Sequence, residues 1–179
     1  MSGIYLPDLK AVVRMACNAI NAGGDNAVVL ILGTMLAEGG HETVNLFQRT
    51  GSAPTNGVAW GPGQMEPATH DSLWSNYINY RPPLKLALTK LAGNSGPVSL
   101  RLVFDLRYSA AMTRVRYLPD AAPLPTLGDD DGMAAYWKRV YNTVKGAGVA
   151  DSVHASFFTL ARNTVETDLG NLHTDPSGV

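Results

Sequence analysis

Acidic side chains are scarce in the most apolar part of the chain, and that scarcity isolates one carboxyl. Between residues 26 and 70 there are three acids, Glu38, Glu42 and Glu66. Glu38 follows a largely apolar run from Ala27 to Ala37, so it falls at the C-terminal end of what should be a core helix. Partial desolvation and the negative end of the helix dipole both disfavour a carboxylate there and should raise its pKa. A carboxylic acid that keeps its proton near neutral pH can protonate a leaving oxygen as a general acid. On spacing alone, the simpler reading of Glu38 is a solvated residue at a helix end.

Other chemistries find less support. His41 and Glu42 are metal-ligand types, but His41 has no histidine three or four residues away, and His70, His154 and His173 are scattered. No Gly-x-Ser-x-Gly nucleophile motif occurs, and Cys17, on the apolar side of a helical pattern, reads as core. Gly61 and Gly63 are read as following no strand, and no Gly-Lys-Ser/Thr completes a phosphate loop. Arg101, Arg107 and Arg114 lie near one helix face, read as a solvated face because Asp105 interrupts the row. Trp137 and Tyr141, four apart, share a face that mostly means core. Tyr141 and Asn142 nevertheless end a helix before a Gly-Ala-Gly turn, where a phenol and an amide could project into a cleft and bond a sugar.

Helices must position these groups. Leu9, Val12, Val13, Ala16 and Ile20 recur at helical spacing between Pro7 and Ala22, and Pro7 suits a first turn. Asp25 or Asn26 then caps a second helix, apolar nearly all round, which Gly39-Gly40 should end. Residues 43–65 follow neither period and read as loop with a short hairpin. A helix from Pro67 carries Leu73, Trp74, Tyr77 and Ile78, and Arg81-Pro82-Pro83 breaks it. Further helices are expected over 84–91, over 97–117 as one long element, over 132–143, and from Asp151 to about Val165, with a Lys145-Gly146-Ala147-Gly148 turn before the last. The class is mostly α, one domain over 1–166, with a flexible tail over 167–179.

The totals bound the function. At 179 residues with 45% hydrophobic and 16% charged side chains, the chain can bury a full core. A net charge of -1 leaves no electrostatic footprint for nucleic acid or an anionic membrane. A single cysteine excludes an internal disulfide. The first residues lack the pattern of a secretory signal, and the most apolar run is too short to span a bilayer.

Three blocks, TMLAEGG, GPGQMEPAT and YWKRVYNTVKGAG, resemble the soluble lytic transglycosylase and goose-type lysozyme group, and small phage members in particular. The resemblance spans residues 34–148. It implies a lysozyme-like domain with a central buried helix and a small hairpin, acting on peptidoglycan glycan strands without a metal or organic cofactor. By the same resemblance Glu38 is the catalytic acid, with Glu42-Thr43 an alternative position for the acid. Gln64, with Gly63 and Met65 beside it, resembles the cleft-lining hairpin, Tyr141 the tyrosine that hydrogen-bonds near the acid, and Asn142 its amide neighbour. Gly39 stands where the family usually has serine, and Pro62 where it prefers leucine. The implied reaction is single-acid cleavage between N-acetylmuramic acid and N-acetylglucosamine to a 1,6-anhydro product, since no second acid besides Glu42 and Glu66 is near. It would serve a phage at lysis, reaching the wall through a holin, or in the virion, with tail or virion proteins as partners. A hydrolytic muramidase, an inactive structural virion protein and a sugar-binding module without turnover remain alternatives.

Overall fold

The computed structural model describes residues 4–39, 45–50, 55–142 and 150–172. Glu42 and His41, and the turn expected at 145–148, lie outside the described residues.

Helix α1 (Leu6–Ala19) carries Pro7 in its first turn and buries Leu9, Val13, Ala16 and Cys17. Burial pushes the Cys17 thiol up to about 11, so it stays protonated. Helix α2 (Asp25–Gly39) is buried from Ala27 through Leu36 and runs through the middle of the core. Its Gly33 lies against the ring of Phe158, where an added Cβ would come within 2.3 Å of Cδ1. Removing that side chain lets α8 (Ser152–Leu172) pack closely on α2, with Phe158 itself fully buried. Burying such a ring stabilises by about 1.5–3 kcal/mol.

A two-stranded antiparallel hairpin follows, β1 (Phe47–Thr50) with β2 (Thr55–Trp60), in the register Phe47 to Trp60 and Arg49 to Asn56 with an irregularity between. Gly61 therefore directly follows a strand, contrary to the expectation from sequence. Helix α3 (Pro67–Asn76) continues into a 3-10 turn over Ile78–Tyr80, then α4 spans Pro82–Leu91.

The long helix expected over 97–117 is two helices. Asp105 takes an extended backbone (φ -119°, ψ 96°) and its side chain accepts from the Tyr108 amide, so it ends α5 (Arg101–Phe104) and caps α6 (Leu106–Tyr117). A short acid that bonds the backbone two or three residues on competes with the helix ladder, which is why the break sits there. The arginine row dissolves with it. Arg101 turns to Ser95 and Asp105, while Arg114 is buried with Nε donating to the Ala22 carbonyl at 3.1 Å.

Helix α7 (Asp130–Trp137) is capped by Asp129 and passes into one π-helical turn, Lys138–Asn142. The expected α-helix to residue 143 thus widens in its last turn. Helix α8 continues to Leu172, seven residues past the expected end. Over the described residues the class is mostly helical with a small two-stranded sheet. Among the described residues, no helix is long and apolar enough to cross a membrane.

Candidate functional site

The Gly61-Pro62-Gly63-Gln64 segment forms a tight loop at the end of β2. Trp60 and Met65 close it by exchanging both backbone hydrogen bonds, at 2.9 and 3.0 Å. Inside it the Gln64 amide donates to the Gly61 carbonyl at 2.9 Å, placing Pro62 second in a β-turn, the position its fixed φ suits. The two glycines are required for different reasons. Gly61 has φ +74°, and a Cβ on it would also lie 2.1 Å from the Leu102 carbonyl oxygen. A Cβ on Gly63 would lie 2.2 Å from Thr113 Oγ1 and 2.8 Å from the Tyr141 hydroxyl. The close approach is to the protein's own α5, α6 and π turn, so the loop is pressed into the body of the molecule.

Gln64 sits at φ +47°, and its side-chain amide nitrogen donates to the carbonyls of Asn45 (2.8 Å) and Gly61 (2.7 Å). Asn45 in turn donates to the Gly39 carbonyl at 2.8 Å, which ties the loop to the end of α2 next to Glu38. With both N–H groups engaged internally, only the Gln64 carbonyl oxygen is left to accept from a ligand. The Tyr141 hydroxyl donates to the Gly63 carbonyl at 2.7 Å and does not bond Glu38. Its ring stacks on Tyr117, centroids 5.3 Å apart, and burial pushes its pKa well up, so the phenol stays neutral. Tyr117 is anchored by Thr34 of α2 at 2.6 Å. Tyr141 therefore fixes the π turn against the glycine loop.

Glu38 is gripped from the same turn. Trp137 Nε1 donates to Glu38 Oε1 at 2.9 Å, and Asn142 Nδ2 donates to the same oxygen at 3.3 Å. Lys138 Nζ donates to Asn142 Oδ1 at 2.9 Å, which turns the amide so that its N–H faces the acid. Burial raises the Glu38 pKa, against the pull of the Asn142 and Trp137 hydrogen bonds and weaker attraction from His154 and Lys138. Desolvation wins, and the acid holds its proton to higher pH than an ordinary glutamate. Because both donors occupy Oε1, the proton belongs on Oε2.

Glu38 lines a cleft of ≈ 580 Å³ with Gln64, Met65, Tyr141 and Asn142, together with Gln48, Glu66, Thr69, Arg116, Trp137 and His154. Gly63 is brought to Tyr141 instead of to the cleft wall. Sequence reasoning missed several of these groups. Trp137 was read only as core, yet it is both fully buried and bonded to the acid. A buried indole N–H needs an acceptor, which was the available signal. His154 stacks on Trp137 with centroids 4.9 Å apart, and its Nδ1 meets Asp151 at 2.7 Å. Nothing in the spacing of His154, twelve residues beyond Asn142, announces that placement. No family model, curated protein or solved structure matches the chain.

Proposed function

We propose that the protein is a lytic transglycosylase of a bacteriophage, with a lysozyme-like fold of the soluble lytic transglycosylase type, that cleaves peptidoglycan between N-acetylmuramic acid and N-acetylglucosamine. The observation that carries this reading is a proton-holding carboxyl, Glu38, which lines a wide cleft while its Oε1 is held by two donors. The resemblance of the three sequence blocks supplies the substrate class.

In this mechanism Glu38 gives its Oε2 proton to the glycosidic oxygen as the bond to the muramyl C1 breaks. The developing carboxylate is then stabilised by the Trp137 and Asn142 N–H groups, which bond the charged form more strongly than the neutral one. The carboxylate next takes the proton of the muramyl 6-hydroxyl as that oxygen attacks C1, which closes the anhydro ring and returns Glu38 to its starting state. The Gln64 carbonyl, Gln48 and Thr69 offer hydrogen bonds for acetamido sugars. The protein would act for the phage at lysis or from the virion.

One observation favours a second reading. Glu66, at the start of α3 with no capping bond from its side chain, lines the same cleft as Glu38. A second carboxylate could activate water and make the enzyme a hydrolysing muramidase. Incubating the protein with purified peptidoglycan, followed by mass analysis of the released muropeptides, separates the readings. Anhydro ends are expected for the transglycosylase, and reducing ends that disappear in Glu66→Gln would establish the hydrolase. Glu38→Gln should release nothing. Wild-type protein that releases nothing would point to an inactive virion component or a sugar-binding module, and full activity in Glu38→Gln would move the acid to Glu42.

A further inference from the structure

Among the described residues the arginines divide sharply by what their guanidinium groups touch. Arg14 pairs with Asp25, Arg139 with Asp120, and Arg162 with Asp130 and Glu166. Arg81 and Arg114 donate to the carbonyls of Tyr77 and Ala22, and Arg101 bonds Ser95. Arg107 is exposed to water. Arg116 is different: it is half-buried, lines the cleft, and has no hydrogen bond or ion pair to any described residue. The five donors of a half-buried guanidinium bond water where they reach it, and a ligand in the cleft can take the place of that water.

Its position is fixed by its neighbour. Tyr117, the last residue of α6, is buried against Thr34, so the adjacent Arg116 is turned away from that contact and toward the cleft. There its charge acts on Tyr141, within the group of residues that frames Glu38. Glu38 and Glu66 line the same cleft and neither forms an ion pair with Arg116. A neutral sugar polymer gains little from a cation that has no ionic partner among the described residues. The planar fork of an arginine is suited to a carboxylate, which it can hold by two parallel charge-assisted hydrogen bonds.

The geometry points to Arg116 as the residue that recognises a carboxylate of the bound glycan, making the cleft selective for acidic over neutral amino-sugar polymers. This rests on the glycan-cleaving reading above and deepens it. In a peptidoglycan strand the carboxylate has two sources, the lactyl group of a muramyl residue without its peptide, or a carboxylate of the stem peptide where one is attached.

Binding is measured by calorimetry in the Glu38→Gln background, so that no turnover intervenes, with and without Arg116→Gln. The three ligands are glycan strands freed of peptide by an amidase, strands that keep their stem peptides, and chitohexaose as the neutral polymer. Arg116→Gln should weaken the acidic strands roughly ten- to a hundredfold, the range for a charge-assisted bond, and leave chitohexaose unchanged. Arg116→Lys should restore part of the loss, and added salt should weaken binding only when position 116 is cationic. Loss confined to peptide-free strands assigns the lactyl carboxylate, and loss confined to peptide-bearing strands assigns the stem. Equal loss on all three ligands, or no loss on any, overturns the assignment. Thermal melts of each variant separate misfolding from lost recognition. Because the readout is binding, a wild-type protein that fails to cleave would sink the enzymatic reading while leaving Arg116 testable.

Discussion

Gly63→Ala tests whether the glycine loop is held by steric contact with the body of the protein. Gly63 does not have a positive φ, so alanine meets no backbone strain there and the whole cost must come from the contact. An added Cβ would sit 2.2 Å from Thr113 Oγ1 and 2.8 Å from the Tyr141 hydroxyl, about an ångström inside ordinary contact distance. Thr113 cannot swing away freely, because its hydroxyl donates to the Ser109 carbonyl at 2.9 Å and the residue is almost fully buried. Overpacking of this kind costs about 1–3 kcal/mol. Displacing Tyr141 also breaks its bond to the Gly63 carbonyl, adding about 0.5–1.5 kcal/mol. The expected loss is therefore about 2–4 kcal/mol, or roughly 5–15 °C in Tm for a chain of this size. The assay is a double-mutant cycle by urea unfolding. In a Thr113→Ala background the obstructing oxygen is gone and Gly63→Ala should cost at least about 1 kcal/mol less. In Thr113→Val a methyl replaces the oxygen, and no relief is expected. Gly61→Ala, which meets the fixed Leu102 carbonyl at φ +74°, should be unfavourable in every background. Equal costs for Gly63→Ala in the threonine and alanine backgrounds would refute the steric argument.

Two titrations test the buried networks. Trp137→Phe removes an N–H that stabilises the Glu38 carboxylate, so the Glu38 pKa should rise further and the alkaline fall of the pH–activity profile should move to higher pH; a move to lower pH would contradict the assigned role. The second concerns His70, which is neutral in the fold: Nδ1 faces Asp71 at 2.7 Å, Nε2 accepts from the Tyr108 hydroxyl at 2.8 Å, and that oxygen accepts from Trp74 Nε1 at 2.9 Å. Burial lowers its pKa below the ordinary 6.5, outweighing Asp71, so the unfolded chain binds more protons than the folded one. This contribution to stability is fully present above pH 6.5 and is lost as pH falls from there toward the folded pKa. His70→Gln should cost about 1–3 kcal/mol at neutral pH but flatten that acid-side slope, and an unchanged slope in chemical unfolding would locate the proton uptake elsewhere.

The features legible in the sequence are those set by local composition. The continuous apolar run of α2, its end at glycine and the proline starts of α1 and α3 needed only periodicity and capping chemistry. What stayed hidden depends on contacts between distant segments. Nothing local distinguishes a helix through Asp105 from one that Asp105 interrupts, since the side chain can serve either state. The widening of Lys138–Asn142 into a π turn has no compositional mark; it goes with Tyr141 meeting Gly63 while Asn142 meets Glu38. Arg114 looked solvated because its acceptor, the Ala22 carbonyl, lies 92 residues away. Gln64 does line the cleft, but its N–H end is spent on Asn45 and Gly61, contacts that no local pattern announces.

The π turn explains how one short segment can both hold the acid and hold the loop opposite it. In a regular helix Trp137 and Tyr141 would fall on one face, and Asn142 would be rotated well away from it. A wider turn changes that spacing, so Trp137 and Asn142 converge on one oxygen of Glu38 while Tyr141, between them in sequence, reaches the Gly63 carbonyl. π turns are rare and recur at functional sites, where irregular spacing brings together side chains that a uniform helix would separate. The consequence for Glu38 is directional. With two donors on Oε1, protonating that oxygen would sacrifice hydrogen bonds, whereas protonating Oε2 leaves both of them in place. The same arrangement that identifies the proton-bearing oxygen therefore also readies the other one to carry charge once the proton has left.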